Sequence, residues 1–371
     1  MLNWKGMLTA ALVALACIPA SQAIAAPVHV IDALNRDVVV DAPAKRIVLG
    51  FYFEEFTAVA GTSGWNRVVG LSKATWAGWR AATWKEYVKV IPRLQDLPDV
   101  GYAGDNTFSV EKVLALRPDL LILSQLEFDS LGTSKSRLDA AGIPIVVIDY
   151  NAQTLQRHLA STRAIGAVMS ENTRAEELAR FYQRKYDDIL RRVAAARTTT
   201  KPKVYVELGY DGAGTIGNSY NGTMWGKILD NLGAENIATG RIPGGWGQMN
   251  PELVLAADPA FVFIAGSSWD NAPNAVRLGF GSDPAPARAT LKTYTARPGW
   301  SNMRAVREGH VYGIDHALCR TFFDYTAMEY IAKQLYPAQF ADIDPMADLR
   351  DYYARYLPVK LTGTWMLSAK P

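Results

Sequence analysis

The chain has 371 residues, of which 49% are hydrophobic and 20% charged, enough for two globular domains of roughly 150 residues each. Its 39 basic and 36 acidic residues leave a net charge of only +3, and no run of Lys or Arg stands out. That balance excludes a nucleic-acid partner, whose recognition needs clustered positive charge.

The N-terminus reads as an export signal. Lys5 supplies a short positive segment, Met7 to Ile18 is almost uninterruptedly apolar, and small residues follow at Ser21-Gln22-Ala23 and Ala23-Ile24-Ala25. This pattern predicts a signal peptide over residues 1–25, with cleavage after Ala23 or Ala25. The apolar run is short for a membrane span, and nothing later reaches that length. Cys17, preceded by Ala14-Leu15-Ala16, offers an alternative lipid-anchoring site, although the residue three before it is an Ala where a bulky aliphatic is usual. Either route puts the mature chain outside the cytoplasm. With Cys17 removed, Cys319 has no partner for an intramolecular disulfide.

From residue 28 the pattern predicts a hairpin, Val28 to Asp32 and Val38 to Val40 around a turn at Asn35-Arg36-Asp37. A short buried strand follows at Arg46 to Gly50, then helix Glu54–Thr62, strand Val68–Leu71, helix Val110–Leu116, strand Asp119–Leu123, helix Lys135–Ala141 and strand Ile145–Ile148. Short apolar strands alternating with helices indicate parallel α/β layers. Residues 154–196 break the rhythm with two successive helices, Thr154–Met169 and Asn172–Ala196, the second with Ser170 or Asn172 as its N-cap. Alternation then resumes: strand Val204–Leu208, helices Met224–Leu232 and Pro251–Ala257, strand Phe261–Ala265, strand His310–Ile314 and helix Asp324–Leu335.

The two halves echo one another. Glu111 to Pro118 and Glu252 to Pro259 share the frame E-x-V-L-A-x-x-P, each before a strand. These segments, together with Ala44 to Val48, Val100-Gly101-Tyr102, Leu138 to Val146, Leu229 to Ala234 and Arg304 to Tyr312, resemble in order and spacing the cobalamin and ferric-siderophore class of ABC-importer substrate-binding proteins. The resemblance implies an α/β fold of two Rossmann-like lobes (residues 26–171 and 198–371) joined by one long helix (172–197), with a ligand cleft between them. It implies a non-enzymatic periplasmic receptor, acting as a monomer, that captures a ferric-siderophore-like chelate and hands it to an inner-membrane ABC permease. The metal travels inside the guest, with no resident cofactor. It also implies that Glu111 and Glu252 pair with arginines on the permease; equally, with Ser109 and Asn250 as N-caps, both acids suit a first helical turn for its dipole alone.

In parallel α/β lobes, ligands meet the loops at the C-terminal ends of strands. Those loops, with two aromatic-rich segments, nominate Tyr52, Trp79, Arg80, Tyr102, Tyr210, Tyr220, Trp246, Trp269 and Arg320 as the ligand-binding set. Aromatic faces suit a bulky amphipathic guest, and the arginines suit carboxylate or catecholate oxygens. Only four His are present, and only His316 falls in a cleft loop, so a bare-metal site of several His is excluded. A phenolate from Tyr52, Tyr102 or Tyr220 completing ferric coordination stays open, as do haem and cobalamin as cargo. Two decoys are set aside. Gly212-x-Gly214-x-x-Gly217, with Glu235 downstream, matches a dinucleotide fingerprint, but the polar stretch Asn218 to Gly222 delays the helix that should begin there. No G-x-S-x-G frame supports an exported hydrolase.

Overall fold

The computed structural model describes residues 26–370, so the predicted signal peptide and Cys17 lie outside the described residues. The N-terminal part opens with the hairpin β1 (Ala26–Ile31) and β2 (Asp37–Ala42), then β3 (Ile47–Leu49), α1 (Phe53–Gly64), β4 (Val68–Leu71), α2 (Ala81–Val90), α3 (Val110–Leu116), β5 (Leu120–Ser124), α4 (Gln125–Asp129), α5 (Ser134–Ala140) and β6 (Ile145–Ile148). Two helices follow, α6 (Leu155–Met169) and α7 (Asn172–Ala195). The rest comprises β7 (Lys203–Leu208), β8 (Asn218–Tyr220), α8 (Met224–Asn231), β9 (Glu235–Asn236), β10 (Trp246–Gln248), α9 (Pro251–Ala257), β11 (Phe261–Gly266), α10 (Pro284–Thr295), α11 (Arg304–Glu308), β12 (Val311–Asp315), α12 (Tyr325–Leu335), α13 (Pro345–Tyr356) and β13 (Met366–Ser368).

The apolar strands build two sheets. One runs β4-β3-β5-β6, all parallel; the other runs β13-β12-β11-β7-β9, parallel except for β13 at its edge. Strands β3, β5, β6 and β12 are buried at every residue, as expected where helices cover both faces of a parallel sheet. In each sheet the winding reverses once, between β3 and β5 and between β7 and β11, and ligand crevices form outside the strand ends at such points.

The echoed frames fold alike. α3 and α9 are both seven-residue helices, started by Ser109 accepting from Lys112 N and by Asn250 accepting from Glu252 N. Each ends in a left-handed residue, Arg117 (φ 47°) or Asp258 (φ 45°), that turns the chain into its strand.

α7 is the strut. Its 24 residues span about 36 Å, and its buried face (Ala175, Leu178, Ala179, Phe181, Tyr182, Tyr186, Ile189) follows the helical period, packing on α6 on one side and α12 on the other. The predicted cap is corrected here: Ser170 is left-handed (φ 60°) and terminates α6, Glu171 is the N-cap without a side-chain bond, and Asn172 is already helical. Helices α2, α4, α10, α11 and α13 were not anticipated.

A polar knot welds the two parts. Asp324, fully buried ahead of α12, accepts from Gln153 Nε2 (2.7 Å), His158 Nε2 (2.7 Å) and the Tyr182 hydroxyl (2.8 Å). His158 Nδ1 lies 2.9 Å from the Thr154 carbonyl, so both ring nitrogens face acceptors and the imidazolium form is favoured. Burial opposes that charge, but Asp324 outweighs it and raises the His158 pKa above its ordinary 6.5. Further links are Glu55 Oε1 accepting from Phe322 N (3.1 Å) and Glu54, which accepts from Arg80, from the Tyr87 hydroxyl (3.1 Å) and from the Tyr353 hydroxyl (2.9 Å).

His158→Ala strands the buried Asp324 charge and should lower the unfolding free energy by about 3–5 kcal/mol in urea titrations. Because folding raises the imidazole pKa, the native state holds the extra proton: the His158 contribution is complete below pH 6.5 and is lost as pH climbs through the raised native value. The variant's stability should therefore fall less over that window than the parent's.

A candidate ligand cleft between the lobes

The loops at both reversal points open on one cleft. Phe51 follows β3, Ser124 ends β5, Leu208 and Tyr210 come from the end of β7, Ser267 and Trp269 follow β11, and His316 follows β12. Two adjoining voids, of about 350 and 290 Å³, share Phe51, Trp79, Leu208, His316 and Arg320 as common walls. A larger open groove of about 950 Å³ lies elsewhere, between the β1–β2 hairpin and α6–α7, away from the strand ends.

Eight of the nine nominated residues border the cleft. Trp79, Arg80, Tyr210, Trp269 and Arg320 line one void; Trp79, Tyr102, Tyr220, Trp246 and Arg320 line the other. Trp79 meets Tyr102 edge-on (centroids 5.3 Å apart) and Tyr210 meets Trp269 likewise (5.2 Å), so each lobe supplies an aromatic pair. Trp246 pairs with Tyr220 across the β8–β10 ribbon and is 49% exposed at the rim. Lys85 and Asp270, both exposed, come within 3.5 Å of each other and link the two lobes outside these voids.

Tyr52 is the exception. It is fully buried, its hydroxyl accepting from Tyr150 N (3.1 Å) and reaching Asp149 (3.5 Å), while its neighbour Phe51 takes the cleft wall. Tyr52 is the N-cap residue of α1 and turns inward where Phe51 turns toward the cleft, so the aromatic wall comes from the neighbouring position. Trp76 also points inward, stacked on Phe53 with centroids 3.8 Å apart.

Phe51 is held by a buried carboxylate. Glu127 accepts from Phe51 N (3.2 Å), the Ser72 hydroxyl (3.0 Å) and the Ser124 hydroxyl (2.7 Å), closing a capping box on α4. Burial pushes its pKa up against those hydrogen bonds. A β-carbon on Gly50 would collide with both Glu127 oxygens, which explains the glycine.

The two cleft arginines differ. Arg80 is paired with Glu54, and its guanidinium also lies 5.1 Å from the Phe53 ring centre. Arg320 forms no carboxylate ion pair among the described residues. Its Nη2 meets His316 Nε2, its guanidinium lies 5.5 Å over Phe51, and its Nε is buried without a hydrogen-bond partner. Beneath, burial pushes Glu55 up to about 8 and Asp315 up to about 7, so the floor carries less negative charge at neutral pH than exposed acids would. Burial likewise raises the Tyr102 and Tyr220 phenols, so neither offers a ready phenolate.

The glycine-rich loop serves its own lobe. Arg297 forms a buried two-point pair with Glu207 (2.7 and 2.8 Å) and donates to the Ala213 and Thr215 carbonyls, while Gly217 N donates to Glu207. A strand, β8, follows it, and the helix begins only at Met224, so the dinucleotide frame is absent.

Residues 58–318 match the sequence profile of the family described as periplasmic binding protein. The chain belongs to that family. The TroA-like periplasmic binding protein FepB from Veillonella parvula is 35% identical and superposes with a TM-score of 0.86, over 92% of this chain and 99% of that one. YvrC of Bacillus subtilis strain 168, an uncharacterised ABC transporter substrate-binding lipoprotein, is 24% identical over 319 residues, 85% of this chain and 88% of its own. The molybdate-binding protein MolA of Haemophilus influenzae is 20% identical over 351 residues, 88% and 89% of the two chains. This periplasmic binding protein is thus the extracytoplasmic receptor subunit of an ABC transporter, a carrier of small molecules to a permease and not an enzyme. Among the described residues no helix is long and apolar enough to cross a membrane.

Sequence reasoning had no signal for Asn151 and Met224, which join the wall from the loop after β6 and the start of α8. Gly50→Ala should displace the Glu127 carboxylate and cost roughly 1–3 kcal/mol of stability by urea titration, the usual penalty of overpacking.

Proposed function

We propose that this receptor captures a bulky anionic metal chelate of the ferric-siderophore type in the periplasm and delivers it to its permease. Arg320 carries the reading: an unpaired guanidinium inside an aromatic cleft calls for an anionic guest with flat apolar parts. Molybdate, the ligand named for MolA, is a small tetraoxyanion that would leave the aromatic walls uncovered. Haem or cobalamin is the second reading, supported by the size and apolar lining of the cleft; the raised phenols of Tyr102 and Tyr220 count against an axial tyrosinate.

Chelate oxygens take the Arg320 fork while the Trp79–Tyr102 and Tyr210–Trp269 pairs cover the guest's faces. Removal of the signal peptide after Ala23 or Ala25 frees the chain as a periplasmic monomer; acylation of Cys17 would tether it instead, and the intact mass of the mature protein distinguishes the two.

Titrating the purified protein with ferric siderophores, haemin, cobalamin and molybdate, followed by tryptophan fluorescence, should give quenching by the ferric siderophores. Arg320→Ala should weaken that binding by roughly 10- to 100-fold, the loss of charge-assisted hydrogen bonds. Quenching by haemin alone, with a Soret band, would transfer the assignment to haem.

Glu111 and Glu252 are proposed as the permease contacts. Both are exposed in the first turns of α3 and α9, one on each lobe, and their helices start at the cleft end of the sheets. Arg137 (2.5 Å) holds the Glu111 carboxyl below the usual range. Reversing both charges (Glu111→Lys with Glu252→Lys) should abolish uptake in cells with ligand affinity intact; weakened affinity in the purified variant would refute a docking role.

A further inference from the structure

His316 occupies the wall common to both voids, with the rings of Tyr220, Trp269 and Trp225 centred 5.8, 6.2 and 6.4 Å from its own. Its Nδ1 lies 3.1 Å from Trp225 Nε1, and an indole nitrogen can only donate. A neutral ring accepts at only one nitrogen; Trp225 is wholly buried with no other acceptor among the described residues, whereas Arg320 borders the open cleft, so Nδ1 is assigned as the accepting one. Burial, Arg320 and Arg80 together hold the ring well below its ordinary pKa, so it is neutral and its one proton sits on Nε2. The Cys319 thiol does not compete for Nδ1: it donates to the His316 carbonyl (3.2 Å), and its sulfur stays 3.9 Å from the ring nitrogen.

Nε2 faces Arg320 Nη2, which is likewise a donor without an acceptor orbital. In that tautomer neither Nε2–H nor the neighbouring Arg320 N–H has an acceptor, and the buried Arg320 Nε is without a partner too. An acceptor arriving in the cleft would satisfy them together. Resting on the anionic-chelate reading above, we propose that His316 Nε2–H and the Arg320 guanidinium form one paired donor set that binds adjacent oxygen atoms of the guest, so that His316 recognises the chelate's oxygens and does not ligate its metal. One ring nitrogen is occupied by the indole and the other carries the proton, leaving no lone pair for a metal. The guest selected is one whose anionic edge presents neighbouring acceptors, as catecholates and carboxylates do.

The chain has only four His, so the full-length protein labelled with ¹⁵N in histidine gives a tractable long-range ¹H–¹⁵N spectrum, His316 being assigned by its loss in His316→Phe. The ligand-free protein should show His316 neutral and protonated at Nε2 at neutral pH. Gallium(III) tris-catecholate, a diamagnetic stand-in for the ferric complex, should leave that proton in place and shift its resonance. By tryptophan quenching with ferric tris-catecholate, His316→Phe should bind roughly tenfold more weakly, His316→Gln should recover part of that loss through its amide N–H, and Arg320→Met combined with His316→Phe should lose less than the two single effects together. An Nδ1-protonated ring in the free protein, an unchanged affinity for His316→Phe, or loss of the Nε2 proton in the gallium complex would each overturn the proposal. Failure of every chelate to bind the parent protein overturns the cargo reading instead, and the tautomer of the free protein then decides His316 by itself.

Discussion

A buried carboxylate, Asp324, fixes the relation between the lobes. It satisfies its oxygens with Gln153 and His158 from the first half of the chain and Tyr182 from the connecting helix, all inside the core. Removing any one partner leaves a charge with no access to water, so the arrangement tolerates little sliding of one lobe against the other. Around it, Glu54 draws together Arg80, Tyr87 and Tyr353 from α2 and α13, and the main hydrophobic cluster runs continuously through α1, α6, α7, α12 and α13. The stiffness expected of such a receptor has its source in this internal chemistry as much as in the length of α7.

With the lobes so fixed, the cleft is shaped in advance. Both sheets turn their reversal points toward it, and each contributes an aromatic pair and short loops held by buried polar anchors, Glu127 under Phe51 and the Glu207–Arg297 pair under the glycine loop. Preorganisation of this kind spares the guest the entropy of ordering its own site. The electrostatics are arranged to the same end: Arg80 is matched by Glu54, the floor acids are partly neutral, and Arg320 is left to face the void.

Much of this was legible in the chain. Apolar runs such as Leu120 to Leu123 and Val262 to Ala265, short and set between helices, fit buried parallel strands, and the paired E-x-V-L-A-x-x-P frames mark the same helix-to-strand unit in each lobe. Strand-end loops and the two aromatic-rich segments together put eight of the nine nominated residues beside the void. Tyr52 fell inside because it is the N-cap residue of α1 and its hydroxyl is taken by the Tyr150 amide and Asp149, contacts that sequence position alone does not reveal. α2 escaped because its buried positions, Ala81, Thr83 and Tyr87, are few and include no large aliphatic, and α13 because four of its five buried side chains are Pro345, Tyr352, Tyr353 and Tyr356 rather than aliphatics. The status of Arg320 and His316 was beyond reach, since a missing partner is a property of three-dimensional surroundings.

The strut has a mechanical corollary. A rod of six to seven turns packed along both sides offers no soft joint at which the jaws might spring apart on their own. Prising the cargo loose therefore falls to the permease that receives it and not to a hinge of the receptor's own. The receptor behaves as a pair of fixed tongs, and the energy of unloading belongs to the transporter.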